Sequence, residues 1–202
     1  MKIGPKFKIA KRLGAPIFEK TQTQKFALSQ ARAGRALKRG GQTSDYKKQL
    51  IEKQKMRFSY GITEKQLRRY VDEAMTTVGH KPVTILMERL ESRLDNVIYR
   101  LGLAKPRLQA RQLVSHGHVL VNGKRLSIPS HKVNKDDVIT IRTGSQSSPL
   151  FAQLAENTEV STVPAWLTLD IKKLTATVVG TPVYNPAETL FDPEQVFEYY
   201  SR

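Results

Sequence analysis

The sequence contains no cysteine, and this absence excludes both disulfides and thiolate metal sites. It also has no apolar run close to the roughly 18 residues that a membrane-spanning helix needs. Residues 1–8 interleave cations with apolar side chains, which argues against a secretory signal but leaves an organellar transit peptide open. We therefore expect a cytoplasmic protein without a membrane segment.

Acidic residues are scarce relative to basic ones. The 202 residues include 34 Lys and Arg but 18 Asp and Glu, a formal net charge of +16. The net charge is +13 over residues 1–60, +7 over residues 61–144 and −4 over residues 145–202. The excess of +13 over residues 1–60 is larger than a solvated surface requires. It indicates that this part of the protein binds a polyanion, with nucleic acid favoured over a membrane surface. The acidic segment, residues 145–202, is expected to face a partner other than that polyanion.

The sequence also lacks the patterns that enzymes need. Its histidines are His80, His116, His118 and His131, and none has further ligands at the spacing of a zinc site. Glycine-rich phosphate loops and serine-nucleophile elbows are absent, and no paired carboxylates stand out. We expect no catalysis, no metal, no cofactor and no small-molecule substrate.

Residues 1–44 form a basic arm with few large apolar side chains. Gly34, Gly40 and Gly41 favour an open chain, so we predict a short helix near residues 7–13 and otherwise an extended segment that its ligand orders.

A mainly helical domain is predicted over residues 45–89. Its first helix begins after Ser44, and its second begins at the capping-box pair Thr63 and Gln66. A third helix is predicted from residue 83 to residue 101, because Leu90, Leu94 and other apolar residues recur at intervals of three or four.

Residues 90–144 are predicted to form a compact α+β domain of two helices and a small β-sheet. A helix opens near Pro106 and ends at Gly117, and a strand follows over residues 118–121. Asn122 and Gly123 are a strong hairpin signal, because both residues tolerate positive φ. A later strand covers residues 138–141.

The remaining residues, 145–202, are expected to continue the helical domain. Residues 145–148 look like a polar linker, and residues 166–169 and 176–179 look like paired strands. Asp192, followed by proline and by a glutamine three positions on, predicts a short terminal helix.

Arginines of the compact domain are spaced so that members of each pair lie on the same face of a predicted helix. Arg93 and Arg100 are seven residues apart, and Arg107 and Arg111 are four apart on the next helix. If these helices pack side by side with the hairpin beside them, the guanidinium groups converge on one surface that binds phosphate. The alternative for Arg93 is a salt bridge to Asp95 or Glu91. The surface has no row of aromatic residues, so folded RNA suits it better than single strands.

Two segments of this region resemble the S-four RNA-binding domain, also called the alpha-L motif. They are residues 93–102, RLDNVIYRLG, and residues 110–124, which include ARQLVSHGH and VNGK. The flanks, GPKFK at residues 4–8, SDY at residues 44–46 and VFEYYS at residues 196–201, resemble the universal S-four family of small-subunit ribosomal proteins in its bacterial type. Many members carry a cysteine-based zinc knuckle, so this chain resembles the zinc-free branch.

The resemblance implies a structural constituent of the small ribosomal subunit that binds the 5′ domain of 16S ribosomal RNA and nucleates assembly. It also implies a position near the channel through which mRNA enters, beside the S-three and S-five proteins, and a contribution to translational accuracy. The alternatives are an RNA-modifying enzyme with an appended domain of this type and a free regulator that binds ribosomal RNA.

The candidate RNA-binding residues are polar or basic and lie along the arm, the first helices and the compact domain. They are Lys6, Lys8, Lys11, Arg12, Tyr46, Lys53, Lys55, Arg57, Arg69, Arg93, Asn96, Arg100, Arg107, Arg111, Gln112, Ser115, His116, Asn122 and Lys124.

Overall fold

A computed structural model describes residues 3–36, 44–148, 151 and 163–202. The chain forms two compact units, residues 1–86 with 185–202 and residues 87–184. Helices and an antiparallel sheet make up the described parts of the chain, so the predicted α+β class is confirmed. Among the described residues, no helix combines the length and the apolar character needed to cross a membrane.

The helices in chain order are α1 (Lys6–Leu13), α2 (Gln24–Ala36), α3 (Asp45–Tyr60), α4 (Glu64–Thr76), α5 (Pro82–Glu91), α6 (Leu94–Arg100), α7 (Arg107–Ser115), α8 (Thr143–Gln146) and α9 (Pro193–Tyr200). The strands are β1 (Val119–Val121), β2 (Lys124–Arg125), β3 (Val138–Ile141), β4 (Leu167–Asp170) and β5 (Thr175–Val178).

The helices of the first unit begin where the sequence provides caps. The Ser44 hydroxyl accepts a hydrogen bond from the Lys47 amide, and Thr63 and Gln66 form the predicted capping box of α4. The terminal helix α9 packs against α3, where the rings of Tyr46 and Tyr199 lie 5.7 Å apart. The C-terminal helix is therefore an integral part of this unit.

The prediction of a mostly extended arm is wrong for residues 24–36, which form α2. Phe26 of α2 is buried with Ala10 and Phe18, and Phe58 of α3 packs against them, so a small apolar core orders a second helix in the arm. Gly40 and Gly41, which contributed to the expectation, lie outside the described residues.

The second unit is built on a five-stranded antiparallel sheet with the order β2-β1-β3-β5-β4. Strands β1 and β2 form the predicted hairpin, and both Asn122 and Gly123 adopt positive φ at its turn. Apolar residues of β1, β3 and β5 pack with α6 and α7 into one core. Helices α6 and α7 and the hairpin thereby belong to the same core.

The predicted single helix over residues 83–101 is instead two helices, α5 and α6. The break falls at Ser92 and Arg93, whose neighbouring backbone groups bond to a loop from later in the chain. The Ser92 carbonyl accepts from the Val133 amide, and the Leu94 amide donates to the His131 carbonyl. These long-range bonds replace helical ones, so the apolar stripe continues through a bend.

The predicted end of the compact domain, at residue 144, lies inside the second unit. Strand β5 pairs with β3, and β4 pairs with β5, so residues up to 184 cluster with the sheet and not with the helical unit. The polar segment 145–148 overlaps a short helix, α8, in which Ser145 is buried and lies 2.9 Å from His118 Nδ1. Residues 145–184 therefore belong to the second unit because of how β4 and β5 pair, and the polar composition of residues 145–148 does not indicate that pairing.

Candidate nucleic-acid interface

Asp95 holds two arginines in the second unit. Its carboxylate accepts from Arg93 at 3.0 Å and 2.8 Å, through Nε and one terminal nitrogen. The same carboxylate accepts from Arg111 of α7, whose Nε and terminal nitrogen lie 2.9 Å and 2.8 Å from Oδ2. One carboxylate therefore joins the start of α6 to the middle of α7.

Glu91 at the end of α5 organises the neighbouring arginines. Its carboxylate accepts from Arg100 at 2.8 Å and 3.0 Å, and from the Asn96 amide nitrogen at 2.8 Å. The Asn96 amide oxygen then accepts from Arg107 Nε at 2.8 Å. The Arg107 guanidinium also lies 4.1 Å from the centre of the Tyr99 ring, within range of a cation–π interaction.

These contacts define a network that we call the arginine–carboxylate network. Its members are Glu91, Arg93, Asp95, Asn96, Arg100, Arg107 and Arg111. Four guanidinium groups against two carboxylates give it a net charge of +2. It thus holds a net positive charge in a fixed geometry, which suits the binding of phosphates at defined positions.

Burial separates the members of this network. The Arg100 and Arg111 side chains are each 23% exposed. Arg93 is 2% exposed and Asn96 is also buried, so direct contact with RNA does not fit these two predicted residues. The predicted alternative, a salt bridge from Arg93 to Asp95, is the arrangement observed.

The predicted RNA-binding residues at the end of α7 are exposed to solvent. Gln112, Ser115 and His116 lie there, and the Ser115 hydroxyl donates to the Arg111 carbonyl at 2.8 Å. Arg125 of β2 donates to the His116 carbonyl at 3.0 Å, which fixes the hairpin beside the helix end. The structure therefore brings these elements together as predicted.

The hairpin tip carries the remaining candidates of this unit. Lys124 is exposed, whereas Asn122 serves the turn: its amide nitrogen donates to Asp137 at 2.7 Å and its oxygen accepts from the Val138 amide at 2.8 Å. The side chain of Asn122 is thus already engaged in holding the hairpin to β3.

Candidates on α1 form a separate basic surface in the first unit. Lys8, Lys11 and Arg12 are exposed, and the half-buried Lys6 places its ammonium group 5.9 Å from the Phe18 ring. Such a helix, apolar on one face and cationic on the other, is suited to lie along a phosphate backbone.

Three of the candidates on α3 are paired within the protein. Lys53 is buried and donates to Glu64 at 2.8 Å, Lys55 pairs with Glu52 at 2.7 Å, and Arg57 lies 3.5 Å from Glu64. A prediction of RNA contact does not fit the burial of Lys53. The remaining candidates of this unit, Tyr46 and Arg69, are exposed.

Glu64 also ties the C-terminal helix to α3 and α4. Burial acts to raise the pKa of Glu64, but hydrogen bonds from Lys53 and Tyr200 and the nearby positive charges outweigh it and lower the pKa. Burial and the hydrogen bond to Glu64 raise the pKa of Tyr200 well above its ordinary value. Glu64 is therefore ionised at neutral pH while Tyr200 keeps its proton, and the hydrogen bond from the Tyr200 hydroxyl to Glu64 holds α9 against α4.

Glu91 and Asp95 were predicted only as alternative partners of Arg93, and their role in joining neighbouring helices was not predicted. The stacking of Arg107 on Tyr99 was also missed. Helical spacing does not indicate these contacts, because they cross a helix break and an interhelical loop. Within the described ranges, no three His, Asp or Glu side chains are grouped as a metal site would require.

Two protein-family models match the sequence. Residues 1–91 match the ribosomal protein S4/S9 N-terminal domain, and residues 92–139 match the S4 domain. The second match contains almost all of the arginine–carboxylate network.

Relatives with the name of a ribosomal protein align with most of the chain. A small ribosomal subunit protein uS4 from Persephonella marina is 42% identical over 201 residues, which are 98% of each chain. The protein of the same name from Akkermansia muciniphila is 40% identical over 206 residues, again 98% of each chain. One from Dehalococcoides mccartyi is 44% identical over 171 residues, 84% of this chain and 81% of the relative.

Proposed function

The chain belongs to the uS4 family of small ribosomal subunit proteins, and from this premise we propose that it binds the 5′ domain of 16S ribosomal RNA as a structural constituent of that subunit. The family membership predicted from the sequence is confirmed. The observation that carries the proposal is the near full-length similarity, because both the helical front and the compact domain match.

The same observation disfavours the two alternatives. An RNA-modifying enzyme would need a further catalytic domain, but the S4 domain and the N-terminal ribosomal domain together account for residues 1–139. A free regulator that shares the S4 domain alone has no reason to resemble the ribosomal protein across the whole chain. The relatives carry the name of a ribosomal protein and not of an enzyme.

The geometry supports recognition by shape. Arg100 and Arg111 are held by carboxylates, while Gln112, Ser115 and Lys124 are exposed near the end of α7 and the hairpin. Arginine donors at fixed positions match phosphates at fixed positions, which a folded RNA junction offers and a flexible strand does not. The exposed cations of α1 provide a second, separate contact surface.

The finer parts of the proposal follow from the family resemblance. We infer that the protein binds RNA early and nucleates subunit assembly, and that it lies near the channel through which mRNA enters. The S-three and S-five proteins are its proposed neighbours, and mRNA is a proposed partner in the cytoplasmic ribosome. A contribution to translational accuracy would follow from that position.

Binding of the purified protein to 5′-domain RNA and to an unrelated folded RNA of equal length, across a salt series, tests the proposal. We expect preference for the 5′ domain at physiological salt. Arg111→Gln should reduce that preference, whereas Lys172→Gln, which removes an exposed charge between β4 and β5, should not. Equal affinity for both RNAs, lost in parallel as salt rises, would leave only general attraction to polyanions.

A further inference from the structure

We propose that Asp95 and Glu91 are positioning residues that make the domain select folded RNA over unstructured RNA. They do so by fixing the guanidinium groups of Arg111 and Arg100, although each carboxylate lowers the positive charge available to attract RNA. The inference rests on the proposed RNA-binding function and assigns a role within the same surface.

Asp95 is placed to orient and not to bind. Its side chain is 6% exposed, and it is flanked by a fully buried arginine, Arg93, and a partly exposed one, Arg111. Both nitrogens that Arg111 presents to Asp95 lie within 2.9 Å of the same oxygen. The planar guanidinium is thus held in one orientation on the α7 surface.

Glu91 does the same for Arg100. The Glu91 side chain is 7% exposed, and two bonds of 2.8 Å and 3.0 Å hold the Arg100 guanidinium. Through Asn96, Glu91 also reaches Arg107, which stacks on Tyr99. One buried carboxylate therefore sets the positions of two arginines on neighbouring helices.

The placement of two anions in a phosphate-binding surface needs a reason. Generic affinity for RNA grows with the number of cations that replace counterions, so removing these carboxylates would strengthen it. Buried ion pairs are also weak contributors to net stability, because desolvation offsets their attraction. What they do provide is order: an arginine already fixed loses less conformational entropy when a phosphate binds it.

Fixed arginines favour only a ligand whose phosphates are also fixed. A folded RNA meets this condition, whereas an unstructured strand adapts equally well to mobile arginines. Loss of a positioning carboxylate should therefore weaken binding to folded RNA while leaving or strengthening binding to unstructured RNA. If the carboxylate acted only through its negative charge, its loss would strengthen binding to both folded and unstructured RNA.

The test measures the affinity of Asp95→Asn and Glu91→Gln for 5′-domain RNA, an unrelated folded RNA and poly(U), across a salt series. We expect each variant to lose roughly tenfold in preference for folded RNA over poly(U), the loss of about one charge-assisted contact. Asp170→Asn is the matched control, because it makes the same charge change at the last residue of β4, where an Asn side chain can still accept the hydrogen bonds of the turn that follows. This control should leave the preference unchanged.

A double-mutant cycle separates positioning from a general structural effect. If Asp95 acts through Arg111, then Asp95→Asn should change the preference little in an Arg111→Gln background. The same cycle with Glu91→Gln and Arg100→Gln repeats the test on a second pair, should Asp95→Asn fail to fold. Circular dichroism of each variant before binding establishes which pair is used.

The outcomes distinguish the positioning role from the proposed function. Parallel gains in affinity for folded RNA and poly(U), or additive effects in the cycle of the folded pair, would overturn the positioning role. Equal binding of the wild-type protein to the 5′ domain and to the unrelated folded RNA would overturn the 5′-domain assignment, while the comparison with poly(U) still decides the positioning role.

Discussion

Arg93→Ala should destabilise the second unit far more than it alters RNA contacts. Arg93 is 2% exposed and makes two charge-assisted bonds to Asp95. At about 1.5 kcal/mol for each bond, the expected loss is about 3 kcal/mol. That value is the lower end of the roughly 3–5 kcal/mol for breaking a buried ion pair, which is appropriate because Asp95 keeps Arg111 as a partner.

Urea unfolding followed by tryptophan fluorescence measures this loss, because Trp166 is the single tryptophan and packs against the core of this unit. With a slope of about 1–3 kcal/mol per molar urea, the midpoint should fall by at least about 1 M. Arg142→Ala is the control, since Arg142 is exposed in the same unit, and its effect should stay within about 0.5 kcal/mol. Equal midpoints for the two variants, with RNA affinity lost in Arg93→Ala alone, would refute the structural role of Arg93.

Two further predictions concern other parts of the fold. The pKa of Glu64 is lowered in the folded state, so its ionisation stabilises the protein above the ordinary value of 4.5, and that stabilisation is lost as the pH falls through the lowered pKa. Glu64→Gln, which leaves Lys53 without its carboxylate, should therefore cost most near neutral pH and progressively less below pH 4.5 in chemical unfolding; a pH-independent cost would contradict the ion pair. Gly117→Ala should destabilise by roughly the 1–2 kcal/mol of a left-handed backbone, because the Arg125 guanidinium that the new methyl group would meet belongs to an exposed, flexible side chain that can move aside. Gly123→Ala has the same backbone cost and open space around it, so a much larger loss of thermal stability in Gly117→Ala than in Gly123→Ala would contradict this reasoning.

Local signals in the sequence predicted the elements that form on their own. The Thr63 and Gln66 capping box, the Asn122 and Gly123 turn and the Asp192 cap all form where expected. Each depends on residues within four positions, so neighbouring side chains and backbone preferences are sufficient to specify it. The family resemblance was predicted in the same way, from ordered local motifs.

The candidate site was predicted in part. The two helices and the hairpin were expected to pack together, and they do share one core, because two helices joined by a short loop pack against each other and against the strands that follow. That their basic side chains converge on one RNA-binding surface stays a prediction. Which arginines face the solvent was not predictable from spacing. Arg93 had been placed on the same helix face as Arg100, and the break at Ser92 removed that relation.

The net charge, the absence of thiol chemistry, most helix ends, the hairpin turn and the resemblance to a family all follow from the order of amino acids along the chain. The folded structure was needed to learn which basic side chains are buried in ion pairs and which are exposed, that α2 folds in the arm, and that β4 and β5 join the sheet. These features depend on contacts between residues distant in the chain, such as Ser92 with Val133 and Asp95 with Arg111. Burial and pairing across such distances set the energy of a charged group, and no local pattern encodes them.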